Sequence, residues 1–126
     1  MPQIILLVED DDDVRRAVAR LLALEEYQVI EAANGQIALR QMAAQSADLV
    51  IVDMLMPVME GSETISLLRR FYPGVKIIAV SGGGISSAET HLQIARQLGA
   101  QKVLTKPFLT DDFLKAVHEL TRGREH

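Results

Sequence analysis

The chain has 126 residues, 48% of them hydrophobic, which suits one domain with a core of its own and argues against disorder. It contains no cysteine, so a disulfide framework, a thiol nucleophile and a thiolate zinc site are excluded, and a reducing, cytoplasmic location is expected. The formal charge is −4, basic pairs are scattered (Arg15-Arg16, Arg69-Arg70), and no apolar run nears the roughly 18 residues of a membrane span, so neither nucleic acid nor membrane is an expected partner.

Apolar runs alternate with amphipathic segments, the pattern of a parallel sheet with helices on both faces. Ile4 to Val8 reads as the first strand. Asp11, Asp12 and Asp13 then offer a cap and first-turn acids for a helix whose apolar positions are Val14, Val18, Leu21 and Leu22. Tyr27 to Glu31 is a weaker second strand, Asn34-Gly35 a turn, and Ile37 to Ala44 a short helix. Leu49 to Asp53 makes the third strand and Gly61 to Phe71 the third helix, which Tyr72-Pro73-Gly74 ends. Val75 to Val80 is the fourth strand, followed by a Gly82-Gly83-Gly84 loop and a fourth helix from about Ala88 to Leu98, with Gly99 as its C-cap. Lys102 to Thr105 is the last strand, and Thr110 is expected to cap a final helix striped with Phe113, Val117 and Leu120. One domain over 1–121 with a polar tail at 122–126 is the expected organisation.

Four of these runs end at polar groups: Glu9-Asp10, Asp53, Ser81 and Lys106. Ligands of open α/β sheets bind at the carboxyl ends of the strands, so adjacent strands would bring three carboxylates, a hydroxyl and an ammonium together. Clustered carboxylates repel unless a cation intervenes, and a set of hard oxygens without His or Cys suits Mg²⁺. A carboxylate can also act as nucleophile toward phosphorus, with metal and lysine neutralising the equatorial oxygens. Asp53 is the candidate nucleophile and Lys106 its helper. Taken singly, each residue has a plainer reading: Glu9 or Asp10 as a helix cap, Asp53 as a turn residue, Ser81 as a loop hydroxyl, Lys106 as a solvated lysine. His91, His118 and His126 lack metal-ligand spacing and read as surface or helix residues.

Leu7-Val8-Glu9-Asp10-Asp11, Val52-Asp53-Met54-Leu55-Met56-Pro57 through Gly61, Val80-Ser81-Gly82 and Lys106-Pro107-Phe108, in that order, resemble the motifs of a response regulator receiver domain, the chemotaxis-regulator-like module of two-component signalling. The resemblance runs from Ile4 to about Thr121. It implies a flavodoxin-like, doubly wound α/β fold, five parallel strands in the order 2-1-3-4-5, with helices on both faces. It further implies that Asp53 accepts a phosphoryl group from a phosphohistidine on a histidine kinase or phosphotransfer protein. Asp10 and Asp53 would bind Mg²⁺, Glu9 would do so through water, and Leu55 through its backbone carbonyl. Ser81 matches the switch hydroxyl and Lys106 the lysine on the phosphoryl oxygens, with a cis Lys106-Pro107 bond. Downstream proteins would read the face formed by helix four, strand five and helix five. Such a chain is a signalling receiver rather than an enzyme with an external substrate.

Two positions depart from the family pattern. Val103 stands where an inward-turning aromatic ring is common, so any signal is expected to travel through the backbone from Gly82 to Ser87. Leu55 and Gly83 stand where side chains orient the hydrolytic water, which predicts slow self-dephosphorylation. An Asp-nucleophile phosphohydrolase competes poorly, because its second acid would fall at Leu55. An inert receiver-like binding module would have lost Asp53 or Lys106, and both are present.

Overall fold

A computed structural model of the chain describes residues 3–54, 61–82 and 93–121. Five parallel strands, β1 (Ile4–Val8), β2 (Gln28–Ala32), β3 (Leu49–Asp53), β4 (Lys76–Ser81) and β5 (Lys102–Thr105), form one sheet in the order β2-β1-β3-β4-β5. The helices are α1 (Asp12–Leu24), α2 (Gly35–Ala44), α3 (Gly61–Phe71), the helical residues 93–98 (α4) and α5 (Thr110–Thr121). The expected start of α4 at 88–92 lies outside the described residues.

Continuous apolar strands bury both faces of the sheet, and successive side chains go to opposite sides. Leu6, Val8, Val50, Val52, Ile77 and Ala79 pack with Ala38 and Met42 of α2, Ile65 and Leu68 of α3 and Ala95 of α4. Ile5, Leu7, Leu49, Ile51, Ile78 and Val80 pack with Ala19 and Leu22 of α1 and Phe113, Ala116 and Val117 of α5. The central strand β3 is buried at all five positions, whereas the edge strands β2 and β5 are half-exposed, which is why β2 is the weaker pattern in the sequence.

The element boundaries shift by a residue or two for local reasons. Tyr27 stays outside β2 because its N–H bonds back to the Leu22 carbonyl, so the ladder starts at Gln28, paired with Ile4. The Asn34 side chain accepts from the Ile37 N–H at 2.9 Å and caps α2, which therefore begins at Gly35 rather than Ile37. Val75 turns back to the Tyr72 carbonyl, moving the start of β4 to Lys76 and its end to Ser81. Phe113 N–H bonds to the Leu109 carbonyl, making Thr110 the first helical residue of α5 rather than its cap. Asp11 does cap α1, accepting from the Asp13 and Val14 amides, and Gly99, at φ 109°, ends α4 in a conformation that disfavours a side chain.

Candidate functional site at the carboxyl edge of the sheet

The register of the sheet decides which polar groups meet. Val8 pairs with Val52 and Asp53 with Val80, so the residues that follow β1 lie beside the last residue of β3. Ser81 pairs with Thr105, which brings Lys106 alongside, and the Lys106 N–H bonds to the Ser81 carbonyl at 2.7 Å. Ligand oxygens of Glu9, Asp10 and Asp53 all lie within 4.8 Å of one another. Glu9 and Asp53 are buried, Asp10 exposed, so the cluster opens to solvent on one side.

Lys106 reaches into this group. Its Nζ stands 2.7 Å from Glu9 Oε1 and 3.5 Å from Asp53 Oδ2. Burial opposes the ammonium charge, but the bond to Glu9 and the fields of Asp53 and Glu9 outweigh it, and the Lys106 pKa is raised. Asp10 is also pushed above the ordinary carboxylate range, by desolvation first and by its hydrogen bond and repulsion with Glu9 next. Beneath the acids lies a cavity of ≈ 30 Å³ walled by Val14, Val18, Phe108 and Phe113, with Glu9, Asp53 and Lys106 at its polar end. Apolar walls keep the local dielectric low and strengthen every interaction among those charges. Ser81 Oγ is buried without a hydrogen-bond partner among the described residues, and leaving a hydroxyl in that condition costs about 1–3 kcal/mol.

Close packing holds the frame. Gly61 opens α3 directly against β3, and a Cβ there would fall 2.5 Å from the Asp53 carbonyl oxygen and from Met54 Cα. Gly82 lies under the Lys106 stem, where a Cβ would stand 3.0 Å from Lys106 Cβ. The Lys106-Pro107 peptide is cis, as expected.

The structure brings together Glu9, Asp10, Asp53 and Lys106, and it places Ser81 on the strand between Asp53 and Lys106. The expected carbonyl ligand Leu55 lies outside the described residues, as does Gly83 with most of the 82–87 loop. Glu9 takes two roles at once: Oε1 accepts from Lys106 and Oε2 from the Asp11 N–H at 3.2 Å. Sequence reasoning missed Arg15, counted there only as a scattered basic pair. Its Nη1 donates to the Glu9 carbonyl at 2.9 Å, behind the acids. The helical spacing from Asp11 to Arg15 was the available signal, since it turns residue 15 back over the loop. His118, read as a surface or helix residue, is half-buried and bonded to Tyr27 and Glu25 at the opposite end of the domain.

Comparisons with known proteins point the same way. A curated relative, protein-glutamate methylesterase/protein-glutamine glutaminase 1 of Paramagnetospirillum magneticum, is 36% identical over 115 residues, which cover 90% of this chain and 30% of that protein. The transcriptional regulatory protein PrrA of Mycobacterium bovis is 31% identical over 120 residues, 95% of this chain and 50% of that protein. The chain therefore spans half or less of these relatives. The crystal structure of a CheY-like response regulator receiver domain protein from Methanospirillum hungatei superposes with a TM-score of 0.86 at 27% identity, covering 94% of this chain and 93% of that one. Residues 5–118 match the response regulator receiver domain family, and the chain, with its 2-1-3-4-5 flavodoxin-like sheet, belongs to that family.

Proposed function

We propose that the chain is a phosphorylation-dependent receiver in which Asp53 accepts a phosphoryl group from the phosphohistidine of a histidine kinase or phosphotransfer protein. The single observation that carries this reading is the meeting of Glu9, Asp10 and Asp53 within 4.8 Å, with Lys106 bridging Glu9 and Asp53. The Asp53 carboxylate forms the O–P bond as the N–P bond breaks, and the leaving imidazole nitrogen takes up a proton. The donor set fits Mg²⁺: Glu9, Asp10 and Asp53 offer only hard oxygens, and the Leu55 carbonyl would complete them. A bound Mg²⁺ supplies charge neutralisation at the transferring oxygens. Lys106 contributes a second cation at the same oxygens, and the orphaned Ser81 hydroxyl gains an acceptor once phosphoryl oxygens arrive.

That gain gives Ser81 and Lys106 a reason to move inward only in the phosphorylated state, which biases the surface of α4, β5 and α5 toward a downstream protein. On that surface Ile94 is exposed, and Lys102 of β5 pairs with Glu119 of α5 at 2.9 Å. The domain is read as 1–121 with a polar tail at 122–126, acting as a signalling module that catalyses its own phosphotransfer and slow self-dephosphorylation. Among the described residues no helix is long and apolar enough to cross a membrane. One relative is a transcriptional regulator, so the charge argument against nucleic acid applies to these residues and not to any longer protein that contains them.

Incubation with a small-molecule phosphodonor and Mg²⁺, followed by mass spectrometry, should show one added phosphoryl group in the wild type and none in Asp53→Asn. Modification that persists in Asp53→Asn, or none in the wild type, overturns the reading.

A further inference from the structure

We infer that Arg15 is a positioning residue for the acid pair Glu9-Asp10: it fixes the peptide that joins them and so sets their aim at the metal. This rests on the proposed function, in which those acids hold Mg²⁺.

The Glu9-Asp10 peptide begins just past the last paired residue of β1, Val8, where the ladder no longer determines backbone direction. Two bonds replace it. The Glu9 N–H donates to the Ala32 carbonyl at 3.0 Å, and the Glu9 carbonyl accepts from Arg15 Nη1 at 2.9 Å. With both ends of Glu9 pinned, its side chain and the direction in which Asp10 leaves are set together. The guanidinium is itself anchored twice more: Nη2 lies 2.7 Å from Asp12 Oδ1 in the first turn of its own helix α1, and Nε lies 3.1 Å from Glu31 Oε1 in β2. The Arg15 side chain is only 11% exposed and its bond to the Glu9 carbonyl is part-buried, whereas Asp12 and Glu31 stay open to water. Five consecutive acids, Glu9 to Asp13, crowd this turn, and their repulsion would splay it without a fork that grips backbone and side chains at once. A lysine would place one compact charge there and could not hold three partners along three fixed directions.

The test separates aim from charge because the two predict opposite signs. Removing a cation beside a Mg²⁺ site strengthens cation binding if only the field matters, whereas losing a positioning contact weakens it. Calorimetric titration with Mg²⁺, in variants shown by circular dichroism to be folded at the working temperature, should give about tenfold or greater loss of affinity in Arg15→Gln. Arg15→Lys, which keeps the charge, should lose nearly as much. The Asp10 amide resonance of the metal-free protein should shift in both. Unchanged or tighter Mg²⁺ binding in Arg15→Gln overturns the inference, as does full recovery in Arg15→Lys. A wild type that takes up a phosphoryl group on Asp53 yet shows these outcomes leaves the receiver reading standing and removes only the role of Arg15.

Discussion

Gly61 sits where a side chain would strike the backbone that carries Asp53. The nearest atoms to an added Cβ are the Asp53 carbonyl oxygen and Met54 Cα, both at 2.5 Å, and neither belongs to a flexible side chain that could swing aside. Gly61→Ala should therefore cost about 1–3 kcal/mol through forced backbone movement. Gly74 offers the matched control: nothing lies within 4 Å of its added Cβ, and Gly74→Ala should be neutral or stabilise by up to about 1 kcal/mol through the unfolded chain. Thermal denaturation of the two variants checks both signs, and equal losses would contradict the steric account. Residue identity was the most legible part of the site. Asp53, Ser81 and Lys106 each follow an apolar run, and register then brought them together. The pairing within the cluster was not legible: Glu9 is the closer partner of Lys106, at 2.7 Å against 3.5 Å for Asp53, and no one-dimensional pattern encodes which acid a lysine prefers.

At the scale of elements, the helices are tied to the sheet by polar knots as well as by apolar faces. Tyr27, at the entry to β2, sends its hydroxyl to Thr121 Oγ1 at 2.8 Å and His118 Nδ1 at 2.7 Å, both on α5, and His118 Nε2 meets Glu25 Oε1 just past α1. Tyr27→Phe keeps the ring but removes the hydroxyl that bonds Thr121 Oγ1 and His118 Nδ1, leaving Thr121 its bond to the Val117 carbonyl, so a loss of about 1–2 kcal/mol is expected in denaturant unfolding. His118→Ala in the Tyr27→Phe background should then cost less than in the wild type, because the two changes share one network. On the other face, Arg69 of α3 donates to the carbonyls of Pro73, Val75 and Gly99, joining the ends of α3 and α4 to the start of β4. Apolar periodicity located the helices of both faces, but Tyr27 and Arg69 looked like a strand residue and half of a basic pair. The bond from Tyr27 to His118 spans 91 residues of sequence and that from Arg69 to Gly99 spans 30, beyond the reach of any local pattern. Asn34 and Thr110 show the reverse case: both are residue types that favour caps, yet Asn34 precedes α2 and caps it, whereas the Phe113 N–H bond to the Leu109 carbonyl puts Thr110 inside α5.

Across the whole molecule, the sheet carries a charged edge on a doubly buried core, where the acids Glu9, Asp10 and Asp53 cluster around Lys106. Asp10 has its pKa raised by desolvation and by Glu9. A carboxyl raised on folding contributes stability that is present below its unfolded value of 3.8 and lost as pH climbs through the folded value, so at neutral pH its charge works against the fold. Two consequences follow at pH 7, one without metal and one with it. Asp10→Asn should melt higher than the wild type, and its advantage should shrink as pH falls through the raised folded value, where the wild-type carboxyl takes up its own proton, and be gone below 3.8. Adding Mg²⁺ at a hundred times its dissociation constant should stabilise the wild type by about 2.7 kcal/mol, since only the folded state gathers the three acids. The same addition should do far less for Asp10→Asn, so the order of the two melting temperatures narrows or reverses with metal. Scanning calorimetry of both proteins with and without Mg²⁺, repeated at two pH values, measures all four combinations at each pH, and a wild type that gains nothing from Mg²⁺ while Asp10→Asn gains nothing from losing its charge would mean that the clustered acids neither strain the fold nor bind the ion.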